Sequence, residues 1–117
     1  MAFALLIFEA PGQRQTRTPA QGQALYARMV RFSEDLQTRG LLSISQSLAS
    51  DRQAARVRMQ GSQTTVVDGP FVEAREMIGG FLLLTCATRE DAIAIARQCP
   101  AAEWATVEVR ELGPCFT

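Results

Sequence analysis

Histidine is absent from all 117 residues of the chain. Its absence excludes Ser-His-Asp and Cys-His catalytic arrangements, histidine-ligated metals and imidazole acid–base chemistry. Any catalysis would have to use carboxylates, arginine, the single tyrosine Tyr26, hydroxyl groups, a thiol or a borrowed cofactor. We therefore expect neither a metal site nor a resident cofactor.

Cysteine is scarce, with three residues at Cys86, Cys99 and Cys115. The odd number and the spacing fit neither a disulfide framework nor a zinc-ligand pattern. Cys86 and Cys99 fall in apolar stretches and are predicted to be packed thiols. The chain shows no basic leader segment and no apolar run of membrane length, so we expect a reduced, cytoplasmic protein without a membrane partner.

Net charge is also lacking, since the 12 basic residues, all arginine, balance 12 acidic residues. Nucleic-acid binding proteins usually carry an excess of basic residues, and this chain has no such excess. No nucleic-acid partner is therefore expected. Apolar residues make up 47% and charged residues 21%, which is typical of a globular protein. The length predicts one domain over residues 1–117.

Apolar runs and helix signals alternate along the chain. Phe3–Phe8 and Gly80–Cys86 are apolar throughout or nearly so, which is typical of central strands. Thr18 with Gln21 forms a capping-box pattern that predicts a helix over Pro19–Arg39, ended by Gly40. A second helix is predicted between a cap at Thr88 and a stop at Pro100.

The remaining strands alternate apolar and polar residues. In Leu41–Leu48, three serines share one face, which is either a solvated surface or the floor of a polar cleft. Ala55–Met59 and Thr64–Val67 are predicted to pair as a hairpin around Gly61-Ser62. Ala105–Leu112 is the last predicted strand.

This order of elements is β-α-β, a hairpin insert, and β-α-β again. It predicts a ferredoxin-like α+β fold with both helices on one face of the sheet. The other face needs a cover that the chain itself does not supply. We therefore expect a second subunit to pack there, which would form a homodimeric α/β barrel.

One stretch, Asp68–Phe81, combines turn chemistry with dense charge. Asp68-Gly69-Pro70 predicts a turn, three charged residues follow, and Gly79-Gly80 opens an apolar strand. The run Val67–Phe81, VDGPFVEAREMIGGF, resembles the motif of the DGPF-domain branch of the YCII-related family. The resemblance extends over the whole chain. It includes, outside the central motif, the segments Glu90–Ala92, Cys99–Ala101 and Val107–Leu112.

The resemblance implies a dimeric α/β barrel with a ligand cleft lined by the motif loop. Related proteins carry a His-Asp pair proposed to act in acid–base chemistry, and some process chlorinated aromatic intermediates. Asp68 stands at the position of the aspartate, but this chain has no histidine partner for it. Gln46, between Ser45 and Ser47, stands where DGPF proteins commonly show a Gly-Glu-Gly-like run. The family is also often encoded beside extracytoplasmic-function sigma factors.

These observations give one set of candidate site residues. Asp68 is the candidate catalytic base, and the candidate ligand-binding residues are Gln46, Asp68, Phe71, Glu76 and Gly80. For Asp68 the alternative is a cap on its own turn, and for Phe71 it is a plug in the core. Glu73 and Arg75 are assigned structural roles.

The functional hypothesis is a small-molecule binding protein with its cleft near Asp68. Two alternatives stay open: a lyase-, isomerase- or dehalogenase-type enzyme using Asp68 as base, and a regulatory partner of an extracytoplasmic-function sigma factor. The missing histidine favours binding over catalysis, because a lone aspartate is a weak base at neutral pH unless burial raises its pKa.

Overall fold

The computed structural model describes residues 2–116 as a four-stranded antiparallel sheet, two α-helices and a separate hairpin. The elements are β1 (Phe3–Glu9), α1 (Pro19–Thr38), β2 (Leu42–Ser47), β3 (Ala55–Gln60), β4 (Gln63–Asp68), β5 (Met77–Leu84), α2 (Arg89–Gln98) and β6 (Thr106–Glu111). Short 3₁₀ turns occupy Arg14–Thr16, Asp51–Gln53 and Pro100–Glu103.

The sheet order is β2-β5-β1-β6, and every neighbouring pair is antiparallel. The two apolar strands, β1 and β5, therefore lie at the centre, as their composition predicts. Strands β1 and β2 run parallel to each other with α1 crossing between them, and α2 joins β5 to β6 in the same way. This is the predicted ferredoxin-like α+β arrangement.

The core lies between the sheet and the two helices. Its fully buried side chains include Phe3 and Leu5 of β1, Leu82 and Leu84 of β5, and Leu36 of α1. These residues alternate along their strands, so one face of the sheet supplies the core.

Cys86 and Cys99 are 4% and 2% exposed, which confirms them as packed thiols. Desolvation by the surrounding protein raises the pKa of both thiols. The thiolate form is therefore disfavoured, and neither group is suited to act as a nucleophile.

Local hydrogen bonds fix the helix ends as the sequence predicts. The Gln21 amide donates to Thr18 Oγ1 at 3.1 Å, and the Thr18 amide donates to Gln21 Oε1 at 2.9 Å, which completes the capping box. Gly40 takes φ +69° just after α1, a conformation that favours glycine. The Asp91 amide donates to Thr88 Oγ1 at 3.1 Å and so caps α2.

Neither helix, within residues 2–116, has the length and apolar character needed to cross a bilayer.

Strand β2 departs from the predicted strict alternation. Its register against β5 shifts between Leu42 and Ile44. Leu42 therefore lies opposite Leu84 and packs against the core, whereas Ile44 lies opposite Leu83 on the other face. A bulge places one extra residue in a strand, so residues on its two sides no longer share a face as simple alternation would require.

The outer face of the sheet, turned away from the helices, is apolar at its centre. By strand register it carries Ala4, Leu6 and Phe8 of β1, Phe81 and Leu83 of β5, and Ile44 of β2. Ile44 remains 43% exposed, and no helix of the described chain covers this face. The predicted second subunit would pack here, and that stays a prediction.

The β3–β4 hairpin stands apart from the main sheet. Val57, Met59 and Val66 share one of its faces and are 64%, 70% and 62% exposed. The hairpin is therefore an apolar ribbon projecting from the rest of the chain.

Candidate ligand site

A cavity of about 670 Å³ opens between the sheet and the part of α1 that runs from Pro19 to Glu34. It exists because α1 approaches the sheet closely only near its C-terminal end. Among the described residues of α1, Leu36 alone is fully buried, whereas Tyr26 is 59% exposed. The volume lies within the range of pockets that hold small organic ligands.

Small residues form part of the floor of the cavity. Ser45 and Ser47 of β2 lie beside Gly80 and Leu82 of β5, and all four border the cavity. Ser45 Oγ lies 3.0 Å from Ser33 Oγ of α1, so one hydroxyl donates to the other across the gap. Of the two alternatives for the serine face, the structure thus favours the cleft floor for Ser45 and Ser47.

An ion pair closes one end of the floor. Glu9, at the end of β1, is 5% exposed, and Arg14 Nε donates to its Oε1 at 2.5 Å. Arg14 Nη1 donates to the Leu48 carbonyl at 2.8 Å, and Nη2 donates to the Gly79 carbonyl at 3.3 Å. One guanidinium therefore joins the ends of β1, β2 and β5.

Gly79 is required by this arrangement. A methyl group at Gly79 would lie 2.5 Å from Glu9 Oε2 and 3.0 Å from Arg14 Nη2, so any side chain here would displace the Glu9–Arg14 pair from this position. The β1–β5 register shifts at Ile7 and Phe8, opposite this glycine. The Gly79-Gly80 pair thus provides both the close approach and the strand irregularity that the sequence suggests.

Trp104 forms part of the wall and is flanked by two guanidinium groups. Arg17 Cζ lies 5.9 Å and Arg28 Cζ 5.7 Å from the centre of its ring system. Arg28 also binds Glu103 with both terminal nitrogens, one of them at 3.1 Å from Glu103 Oε1. This hydrogen bonding lowers the pKa of the Glu103 carboxyl, so the pair stays charged at neutral pH.

The roof is mainly apolar. It is formed by α1 residues that carry large side chains, namely Leu25, Tyr26, Met29 and Val30. Hydroxyl groups below, apolar and aromatic groups above, and charged groups at one end are the elements of a pocket for a small, partly polar molecule.

Two of the residues predicted for the site border this cavity. Gly80 belongs to its floor, and Gln46 borders it at the edge strand. By register Gln46 shares the outer face with Phe81, so its serine neighbours, rather than its own amide, point towards the cavity.

The other three predicted residues, Asp68, Phe71 and Glu76, do not border the cavity within one subunit. Asp68 is exposed at the end of β4, and Glu76 is exposed just before β5. Phe71 is half-buried, with Arg56 Cζ 3.8 Å from the centre of its ring.

Asp51 holds the loop that begins at Asp68. The Phe71 amide donates to Asp51 Oδ2 at 3.1 Å, and the Gly69 amide donates to the Ala54 carbonyl at 2.7 Å. The structure thus gives the turn-fixing role to Asp51, whereas the catalytic role of Asp68 stays a prediction.

Sequence reasoning missed several residues that form the cavity: Glu9, Arg14, Arg17, Ser33 and Trp104. One signal was available, because a carboxylate directly ends an otherwise apolar strand and two arginines follow in the next loop. A buried charge needs a partner, so these residues could have been paired in advance.

Sheet order, helix placement and the helix-side cavity define a ferredoxin-like α+β protein with a candidate ligand pocket in each chain. The chain belongs to the YCII-related family, whose model matches residues 1–115.

An uncharacterised protein of Rhizobium meliloti (strain 1021) is 40% identical over 62 residues. That match covers 51% of this chain and 50% of the relative, so the chain spans about half the length of the curated relative it matches.

A similar solved structure is 5-chloro-2-hydroxyhydroquinone dehydrochlorinase (TftG) from Burkholderia phenoliruptrix AC1100, in complex with 2,5-dihydroxybenzoquinone. Its TM-score is 0.55 at 16% identity, over 97% of this chain and 94% of that chain. At this level of identity the likeness shows the fold.

Proposed function

We propose that the chain binds a small, planar organic molecule in the cavity between α1 and the sheet. The observation that carries this proposal is the floor of the cavity, where Ser45, Ser47 and Gly80 leave space below an apolar roof. Core residues of ordinary size at these positions would fill the gap to the density usual in protein interiors. The Ser33–Ser45 hydroxyl pair offers hydrogen bonds to polar substituents on such a molecule.

Gly22 provides a direct test, because it borders the cavity and a methyl group placed on it meets no other atom within 4 Å. We expect Gly22→Leu to fold, since leucine is a good helix former, and to occupy the space of the ligand. Isothermal calorimetry and thermal melting with 2,5-dihydroxybenzoquinone as probe should show binding to the native chain and none to Gly22→Leu.

Gly22→Ala is the matched control, because it adds only one methyl group at the same position. It should bind the probe, and it should stabilise the helix by about 0.5–1 kcal/mol through reduced backbone freedom of the unfolded chain. Equal binding by the native chain and Gly22→Leu would contradict the proposed site.

A second candidate is a dehalogenating lyase, favoured by the fold shared with the dehydrochlorinase and by the buried Glu9 carboxylate at the cavity. In such a reaction a base removes a hydroxyl proton and the chlorine-bearing ring carbon gains a proton, which gives a keto form. Loss of a second hydroxyl proton then expels chloride and leaves a quinone, so that HCl is lost overall. Asp68, the predicted base, lies outside the cavity of its own chain. It would have to reach the ligand from a second subunit.

Chloride release from 5-chloro-2-hydroxyhydroquinone tests this candidate. If Asp68 acts as base, Asp68→Asn should lower the rate at least 100-fold, within the range of general-base contributions, without changing the melting temperature. Glu9→Gln is the comparison variant, because it alters the carboxylate inside the cavity. Release no faster than the uncatalysed rate by the native chain would leave binding as the function.

The proposed functional unit is a homodimer formed through the outer face of the sheet. Its support is the exposed apolar centre formed by Ile44, Phe81 and their neighbours. The suggested link to a sigma factor stays a prediction.

A further inference from the structure

We propose that the cavity selects a ring carrying one negative charge, with Arg17 as the residue that anchors the charge beside Trp104. The inference rests on the proposed binding function and names the class of ligand. A hydroxylated aromatic carboxylate fits this description.

Three guanidinium groups lie close to the cavity, and two of them are already engaged. Arg14 uses Nε, Nη1 and Nη2 to bind Glu9, Leu48 and Gly79. Arg28 binds both oxygens of Glu103 and does not border the cavity. Arg14 is therefore held by three partners, and Arg28 is paired with a carboxylate outside the cavity wall, so neither is placed to anchor a ligand carboxylate.

Arg17 is the remaining guanidinium. It borders the cavity, is half-buried, and forms no ion pair with any acidic side chain within residues 2–116. Its Cζ lies 5.9 Å from the centre of the Trp104 ring. The fork of donors on Arg17 is therefore available to a carboxylate or phenolate that enters beside Trp104.

The acidic residues around the cavity do not cancel this charge. Glu9 is neutralised by Arg14. Glu34 lies towards the other end of α1, and at 1.5 Å of rise per residue it is about 22 Å along the helix from Pro19. That separation is nearly three times the Debye length of about 8 Å at physiological ionic strength, and Glu34 is exposed to solvent. The end of the cavity near Arg17 thus keeps a net positive charge.

Aromatic groups lie on the same part of the wall. Trp104 and Tyr26 both border the cavity, and the Gln13 amide nitrogen holds the Trp104 carbonyl at 2.8 Å. The flat ring system of Trp104 suits contact with another ring, while Arg17 binds a charged substituent. The Ser33 and Ser45 hydroxyls suit a hydroxyl substituent on the ligand.

The test compares para-hydroxybenzoate with its neutral isostere para-hydroxybenzamide, measured by isothermal calorimetry at low salt. Trp104 is the single tryptophan of the chain, so its emission reports whether a compound enters this cavity. We expect the benzoate to bind at least about tenfold more tightly, as a charge-assisted hydrogen bond predicts. The preference should shrink as salt is added.

Variants assign the preference to one side chain. Arg17→Gln should bring the two affinities to within about twofold, and Arg17→Lys should restore part of the difference because it keeps the charge but loses the fork. Arg28→Gln is the matched control, since Arg28 lies at a similar distance from Trp104 but outside the cavity wall. It should keep the full preference.

Equal affinity for the two compounds, or a preference unchanged in Arg17→Gln, would overturn this inference. Neither result would affect the binding function itself, which Gly22→Leu tests independently because it fills the cavity without changing Arg17.

Discussion

Glu9 is an acidic side chain buried at the end of a core strand, and its environment explains why the fold tolerates it. A carboxylate without partners would be costly at 5% exposure. Arg14 compensates for this cost with an ion pair, and its two other hydrogen bonds satisfy the Leu48 and Gly79 carbonyls. One arginine thus stabilises the carboxylate and ties together three strand ends beside the cavity.

Removing Arg14 should therefore destabilise the chain more than its partial exposure suggests. We expect Arg14→Met to lower the free energy of unfolding by about 2–4 kcal/mol, because it leaves the buried Glu9 carboxylate without its partner and the Leu48 carbonyl without this donor. The Gly79 carbonyl keeps the Leu48 amide as a donor at 2.9 Å. Glu9→Gln should cost less, about 1–2 kcal/mol, since the amide oxygen still accepts a hydrogen bond. Urea unfolding at neutral pH measures both.

Arg110→Met is the control for this prediction. Arg110 pairs with Glu108 at 3.3 Å on the surface, with side chains 66% and 43% exposed, so its loss should cost less than about 1 kcal/mol. If Arg14→Met and Arg110→Met lower stability by the same amount, the Glu9–Arg14 pair has no special structural role.

This part of the site was difficult to predict from the sequence. Glu9 and Arg14 are five residues apart and could have been paired. The Leu48 and Gly79 carbonyls, however, are 34 and 65 residues from Arg14. Every residue has a backbone carbonyl, so the sequence does not indicate which of them accept hydrogen bonds from Arg14. Only the folded sheet brings these groups to one guanidinium.

Elements bounded by local signals were predicted closely. The helix expected over Pro19–Arg39 runs over Pro19–Thr38, because its cap and its terminating glycine act within a few residues. The two central strands were identified for a similar reason. A continuous apolar run predicts a buried strand even when the strands that pair with it are unknown.

The position of α1 over the sheet was not predictable in the same way. Leu25, Met29, Phe32 and Leu36 recur at helical spacing, which indicates a buried face, yet Leu36 alone of these is fully buried. Periodicity shows which side of a helix turns inwards, whereas its distance from the sheet depends on the residues opposite. Here those residues are Ser45 and Gly80, and the space above them is the cavity.

The loop that begins at Asp68 carries the family motif and connects the hairpin to the main sheet. It leaves the exposed hairpin at β4 and returns to the main sheet at Met77, which pairs with Glu9. The loop thus re-enters the sheet at the end closed by the Glu9–Arg14 pair. Whether Asp68 approaches a ligand therefore depends on how a second subunit packs against the first.

At the scale of the whole molecule, the chain is more extended than one domain of its length usually is. Its radius of gyration is 16.0 Å, whereas a compact chain of 117 residues is expected at about 13 Å. The projecting β3–β4 hairpin and the flat shape of the chain, which measures 46 × 42 × 19 Å along its principal axes, account for the difference. Both features leave apolar surface exposed, namely the outer face of the sheet and one face of the hairpin.

We expect two chains to pack these surfaces together. Sedimentation equilibrium at micromolar concentration should give about twice the chain mass of 12.8 kDa. Phe81→Glu should shift the population to monomer, because Phe81 lies on the central strand β5 within the outer face and a buried, unpaired carboxylate opposes association.

Val72→Glu is the control, since Val72 is 80% exposed in the loop before β5, and it should remain dimeric. A native chain that sediments as a monomer at every concentration would contradict the proposed dimer, and with it any role for Asp68 at the cavity of a second subunit.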